Sequence, residues 1–206
     1  DGTFTDKYEP GFPALADNQS YGVPMMGKAE QIVPAHATFQ YLIPSKNHAT
    51  QDWTDPDFNP TASWKNGQSG FGFQRIGSSL LGLIKTRVST SKRVIWTRKK
   101  FSIKNRDALA YLILRIKFDD GFVAHLNGEK IASVNAPDKP KYNSYATSNN
   151  NDGSFMDFDL TDHIHLLKNG RNNVLAVQAF DYRTERAEFF LMPTLIGGGS
   201  EEVDPS

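Results

Sequence analysis

Residues 108–118, ALAYLILRIKF, restrict the fold of this chain more than any other stretch. Ala110, Leu112, Leu114, Ile116 and Phe118 share one parity, while Leu109, Tyr111 and Ile113 share the other, which then turns to Arg115 and Lys117. Side chains alternate across a strand, so one face of this segment belongs to a core and the other is half covered and wetter toward its end. MDFDL (156–160) repeats the pattern, with Met156, Phe158 and Leu160 set against Asp157 and Asp159. TRKKFSI (97–103), led by Val94, Ile95 and Trp96, reads as another strand, as do NNVLAVQAF (172–180) and EFFLMPTLI (188–196). Pro193 in the last of these points to a sheet edge or a bulge. FVAHLNGEKIASV (122–134) predicts a hairpin, with Asn127-Gly128 supplying the positive φ angles of a tight turn. Only TDHIHLL (161–167) reads as helical, one or two turns capped by Thr161 or Asp162. Many short strands and almost no helix predict an all-β sandwich.

The length, 206 residues, suffices for one substantial domain. Residues 1–30 mix Gly, Pro, Asp and Asn without a period and read as an extended arm. The stretch 197–206, GGGSEEVDPS, reads as a flexible linker, which leaves a compact unit over 31–196. Lys plus Arg and Asp plus Glu both total 23, so the formal net charge is zero. A phosphate-tracking surface usually shows a basic excess, so the balance argues against nucleic acid while leaving room for a local basic patch. The chain has no cysteine, which excludes disulfides, thiolate metal sites and a cysteine nucleophile. No apolar run approaches the roughly 18 residues of a membrane span. The chain opens on Asp1 without a visible signal peptide, as expected of an excised module or a mature fragment.

An ordered set of motifs then resembles a known family. VPAHATFQYLIP (33–44) is followed by WTDPDFNPTASW (53–64), GFGF (70–73), a Trp-x-Arg-x-x-Phe strand (96–101), DDGFVAHLNGEKIASVNAP (119–137), NGRNNVLAVQAF (169–180) and EFFLMPTL (188–195). The order resembles the galactose-binding-like jelly-roll module of large, multidomain extracellular bacterial proteins that also carry lamin-tail domains. FPALADNQSYGVP (12–24) resembles the end of such a neighbouring domain. The resemblance implies a jelly-roll β-sandwich of two antiparallel sheets, with one short helix and an extended N-terminal arm. It further implies a non-catalytic module, extracellular or at the cell surface and monomeric. Its partners would be a glycan or polysaccharide and the adjacent domains of the parent chain, with neither nucleic acid nor membrane insertion. Related jelly rolls bind carbohydrate, and some carry structural calcium.

On that architecture Asp119-Asp120-Gly121 is the short link between two antiparallel strands. Three readings of the carboxylate pair stay open. In the first, both satisfy turn backbone. In the second, Asp119 or Asp120 holds a structural calcium with Asp57, Asn59 or Glu188 supplying further oxygens, since calcium takes about six to eight. The start of a strand at Asp-Asp-Gly also resembles calcium-dependent lectin domains of the PA14 type. In the third, the pair is a glycosidase dyad, which is disfavoured because adjacent strand residues point to opposite faces.

The remaining candidates lie in loops. DYRTERAE (181–188) joins the last two core strands and presents Tyr182, Arg183 and Arg186. Sugar sites pair a flat aromatic for the apolar ring face with planar polar groups for the hydroxyls. Tyr142 and Tyr145, in the long polar segment 136–154, and Trp53 are further stacking candidates. The resemblance gives Trp53 a rival task, packing across one end of the fold, and Trp64 and Trp96 read as core. Arg93, Arg98, Lys99 and Lys100 form a basic run, either a solvated strand end or a site for sulfated or uronic polysaccharide. His163 and His165 read as a surface pair rather than zinc ligands, because residues two apart diverge on a helix. His125 reads as a packed or partly exposed histidine, and Gly70-Phe71-Gly72-Phe73 as backbone packing under an aromatic. Three functions follow: a carbohydrate-binding module, a structural spacer or protein-interaction sandwich with no ligand, and, least favoured, a polysaccharide hydrolase.

Overall fold

The computed structural model describes residues 29–73, 80–88, 94–150, 154–182 and 189–199. In chain order these form β1 (Glu30–Val33), β2 (Thr38–Leu42), β3 (Lys65–Gln68), β4 (Phe71–Phe73), β5 (Thr86–Arg87) and β6 (Val94–Ile103). There follow β7 (Tyr111–Asp119), β8 (Gly121–Leu126), β9 (Glu129–Val134), β10 (Phe155–Asp159), β11 (Gly170–Phe180) and β12 (Phe189–Gly198). One sheet runs β10-β7-β12-β4-β5, with β1 also paired to β12, and the second runs β3-β2-β6-β11-β8-β9. All pairings are antiparallel except β4 with β5, so the protein is an all-β, two-sheet jelly-roll sandwich.

The period-two pattern of residues 108–118 is realised in β7. Leu112, Leu114, Ile116 and Phe118 are fully buried between the sheets, and Arg115 on the opposite face is exposed and pairs with Asp157 of β10 at 2.6 Å. Ala110 is exposed just ahead of the strand. From the facing sheet come Phe39, Ile95, Phe101, Phe122, Ala124, Leu126, Leu175 and Val177. Phe118 and Phe122 meet edge to face at 4.7 Å, and Phe122 meets Phe158 likewise at 5.6 Å. Burying each such ring contributes roughly 1.5–3 kcal/mol before entropy is counted. β10 is an edge strand, so Met156 stays exposed although its parity is that of Phe158 and Leu160.

Several local expectations are met and others are corrected. β8 and β9 form the hairpin, with Asn127 and Gly128 at φ 53° and 90°. Gly72 packs beneath the Phe190 ring, and a Cβ there would run into the Phe189 carbonyl. Thr161–Leu166 is a 3-10 helix, but neither Thr161 nor Asp162 caps it; Asp159 Oδ1 accepts from the Thr161 amide and hydroxyl at 2.9 and 2.6 Å. Pro193 lies in a central strand rather than at an edge. Beside it is the gap between the end of the β4 pairing at Leu191 and the start of the β1 pairing at Leu195, where a missing N–H costs least. Gly197 and Gly198 belong to β12, paired with Leu112 and Tyr111, so ordered structure continues past residue 196 into the expected linker. The expected arm over 1–30 lies outside the described residues except for its end, where Glu30 opens β1.

Strand parity also reveals a second apolar layer. Val94 and Trp96 of β6, Val174, Ala176 and Phe180 of β11, Val123 of β8 and Leu42 of β2 point away from the sandwich interior. They are covered by Trp53 and Trp64 from the β2–β3 connection and by Ala146, with Phe58, Ala136, Tyr142 and Tyr182 packed alongside. The central strands of this sheet are therefore buried on both faces.

Candidate functional site

Asp119 and Asp120 do not join two strands of one hairpin. β7 ends at Asp119 in one sheet, and β8 begins at Gly121 in the other, so the pair forms the corner where the chain changes sheets. The peptide bond between them is cis. Both side chains are buried. The backbone that Asp120 satisfies belongs to distant loops instead of its own turn: Oδ1 accepts from the Asn150 amide at 3.0 Å and Oδ2 from the Tyr182 amide at 2.6 Å. Asn150 also donates its side-chain amide to the Phe118 carbonyl at 3.2 Å, and Asn135 donates to the Asp120 carbonyl at 3.0 Å. A carboxylate that accepts main-chain N–H groups on both oxygens acts as a latch. Among the described residues no group of three or more His, Cys, Asp or Glu side chains could hold a metal ion. Glu188 lies outside them, while Asp57 accompanies Asp55 on the exposed connection after Trp53, its amide donating to Asp55 Oδ1 at 2.6 Å.

The latch gathers the candidate tyrosines. The loop after β9 is stitched across the outer face of its sheet: Gln178 Nε2 donates to the Lys141 carbonyl at 2.9 Å, the Ala146 amide to Asp181 at 3.1 Å and the Thr147 amide to Asn135 at 2.8 Å. The bond from Ala146 to Asp181 sets the main chain of Tyr145 beside that of Tyr182. Tyr142, Tyr145 and Tyr182 are all half-buried, and the rings of Tyr142 and Tyr182 lean on the second core. The structure thus brings the main chains of Tyr145 and Tyr182 together, with Tyr142 and Tyr182 packed on the same outer layer. Arg183 and Arg186 lie outside the described residues, as does Arg93.

Trp53 is not displayed. It is 6% exposed, stacked on Trp96 at 4.9 Å and 10° from parallel, and tilted against Trp64 at 6.2 Å. It belongs to the packing that seals the sheet, and the expectation that it stacks on a sugar is corrected. His125 meets the edge of Trp53 at 6.4 Å. Burial, aided by the charge of Lys130, pushes the His125 imidazole down to about 4, so it is neutral near pH 7.

Arg98 is neither solvated nor free. It is fully buried, and its guanidinium donates to the Asp55 carbonyl at 2.9 Å and the Phe58 carbonyl at 3.3 Å, with the Phe58 ring 5.3 Å away. It therefore holds down the Trp53–Trp64 connection. Of the described residues of the basic run, Lys100 is exposed and Lys99 half-buried. His165 is exposed and His163 half-buried, as a surface pair would be, while Leu167 beside them is core.

No protein-family model matches the sequence, and no curated protein matches it. Solved structures do. A β-glucuronidase from an uncultured Clostridium species is 13% identical, with a TM-score of 0.50 over 95% of this chain and 31% of its own. A β-glucuronidase from Ruminococcus gnavus, in complex with D-glucaro 1,5-lactone, is 9% identical with a TM-score of 0.52 over 92% of this chain and 31% of its own. Bacteroides uniformis β-glucuronidase 2, covalently bound to cyclophellitol-6-carboxylate aziridine, is 13% identical with a TM-score of 0.51 over 83% and 18%. The likeness is one of fold. This chain spans less than a third of the length of each of these enzymes.

Proposed function

We propose that this chain is a non-catalytic carbohydrate-binding module of a larger extracellular or cell-surface bacterial protein, where lamin-tail domains would be among its neighbours. The observation that carries the reading is that the Asp120 latch and the bond from Ala146 to Asp181 bring Tyr145 and Tyr182 together, with Tyr142 packed on the same outer layer. Such rings offer flat apolar area for a pyranose face and a phenolic hydroxyl for its rim. The fold supports it, because similar sandwiches form a minor part of β-glucuronidases, whose full lengths this chain does not approach. The non-catalytic part rests on the carboxylates. The Asp119-Asp120 pair spends the Asp120 oxygens on main-chain N–H groups, which leaves that group unsuited to proton transfer or nucleophilic attack. Affinity from a single module is weak, and neighbouring modules in the parent chain would add avidity.

A second reading, a spacer that packs on adjacent domains, is favoured by one observation: the second core seals the sheet face that a deep ligand groove would otherwise occupy. A glycan microarray followed by calorimetric titration of any hit separates the two. The binding module gives a saturable signal that Tyr145→Ala abolishes; silence across neutral and acidic glycans favours the spacer.

A further inference from the structure

A separate feature lies toward the other edge of the second sheet, where β3, β2 and β6 run side by side. A groove of about 290 Å³ there is lined by Thr38, Gln40, Asn66, Arg98, Lys99 and Lys100. The ion pairs among the described residues, Arg106–Asp107 at 3.3 Å and Arg115–Asp157 at 2.6 Å, involve neither lysine. Beneath them Arg98 is fully buried, and its hydrogen bonds go to neutral acceptors: the carbonyls of Asp55 and Phe58 and, at 3.5 Å, the Gln40 amide oxygen. The Asp55 carboxylate offsets part of the guanidinium charge. Because the side chain is held by dipoles, it remains a fixed cation under the groove floor, in a medium that screens less than water. Lys100, which shares the outward parity of Arg98, supplies a mobile donor above it, and Gln40 and Asn66 supply planar amides at the wall.

We propose that this groove binds the carboxylate or sulfate groups of an acidic polysaccharide, with Lys100 contacting the anion and Arg98 acting from below as a positioning charge. The source of the anion rests on the carbohydrate reading above; the groove and its charge do not depend on the tyrosines.

The test is affinity electrophoresis of the full chain in gels containing polygalacturonate, with laminarin as the neutral polymer. Polygalacturonate retards the protein at low ionic strength, and about 0.5 M salt or added sodium sulfate removes the retardation, because contacts between exposed charges are screened. Lys100→Gln weakens retardation by at least about threefold, whereas Lys46→Gln, with the same net charge, leaves it unchanged. The wild-type salt and sulfate series needs no variant and guards against a misfolded one. Equal weakening by both variants overturns the site, and so does retardation that resists salt. Retardation in laminarin alone overturns the anion groove and leaves the carbohydrate reading standing. Silence in both polymers overturns both.

Discussion

Trp53 lies flat on Trp96, ring centroids 4.9 Å apart, although one residue comes from a strandless connection and the other from the middle of β6. That contact, with Trp64 behind it, turns a face that strand alternation alone would leave open into a second core. The loops of this sandwich are therefore part of its frame.

Removing Trp53 should unfasten this layer. Trp53→Ala is expected to cost about 3–5 kcal/mol, the range for deleting a buried aromatic. Urea denaturation followed by circular dichroism measures it. A loss under about 1 kcal/mol would mean that the connection is a loose flap.

His125 contributes to the loss of stability in acid. Its imidazole titrates near 4 in the fold against 6.5 unfolded, so between those values the unfolded chain binds more protons. The associated stability is complete above pH 6.5 and is lost as pH falls through about 4, roughly 3 kcal/mol at most by the linkage relation. His125→Phe should flatten the slope of stability against pH in that window. An unchanged slope would show that the imidazole is hydrated.

Asp120 ties two loops through one carboxylate. Asp120→Asn turns one of its two acceptor oxygens into a donor facing a main-chain N–H, at a cost of about 1–3 kcal/mol. Hydrogen exchange at the Asn150 and Tyr182 amides should speed up in the variant more than exchange at β7 amides. With both oxygens occupied, a calcium chelator should leave the midpoint of thermal unfolding unchanged; a fall of several degrees would put a metal at this corner.

Much of this architecture was legible in the chain, and its legibility had a physical limit. Alternation in β7 and β10 and the Asn127-Gly128 turn are local signals, because strand parity and positive φ are properties of neighbouring residues. The latch is not local: Asp120 reaches partners 30 and 62 residues away, and nothing in the Asp-Asp-Gly triplet distinguishes that from a self-satisfied turn. Arg98 was legible in principle. It shares parity with Val94 and Trp96 in β6, so a strand reading places it on the same face as two core residues, but reading Arg98, Lys99 and Lys100 as one basic run hides the alternation. The gap in pairing that admits Pro193 depends on where β1 and β4 end, which only the assembled sheet determines.

Arg98→Met tests the anchoring directly. The loss of donors to the Asp55 and Phe58 carbonyls should destabilise the fold by about 2–4 kcal/mol. Limited proteolysis should then cut first between residues 53 and 64. Cleavage elsewhere at the wild-type rate would show that the connection is held by its tryptophans alone.

The claim that binding belongs to these tyrosines and not to the covered sheet face is tested most directly by comparing Tyr145→Ala with Trp53→Phe in one titration against a glycan that binds the wild-type chain. The account predicts at least about tenfold weaker binding in Tyr145→Ala, equivalent to about 1.4 kcal/mol, with unchanged thermal stability, and wild-type affinity in Trp53→Phe despite lower stability. Retained affinity in Tyr145→Ala together with lost affinity in folded Trp53→Phe would contradict it.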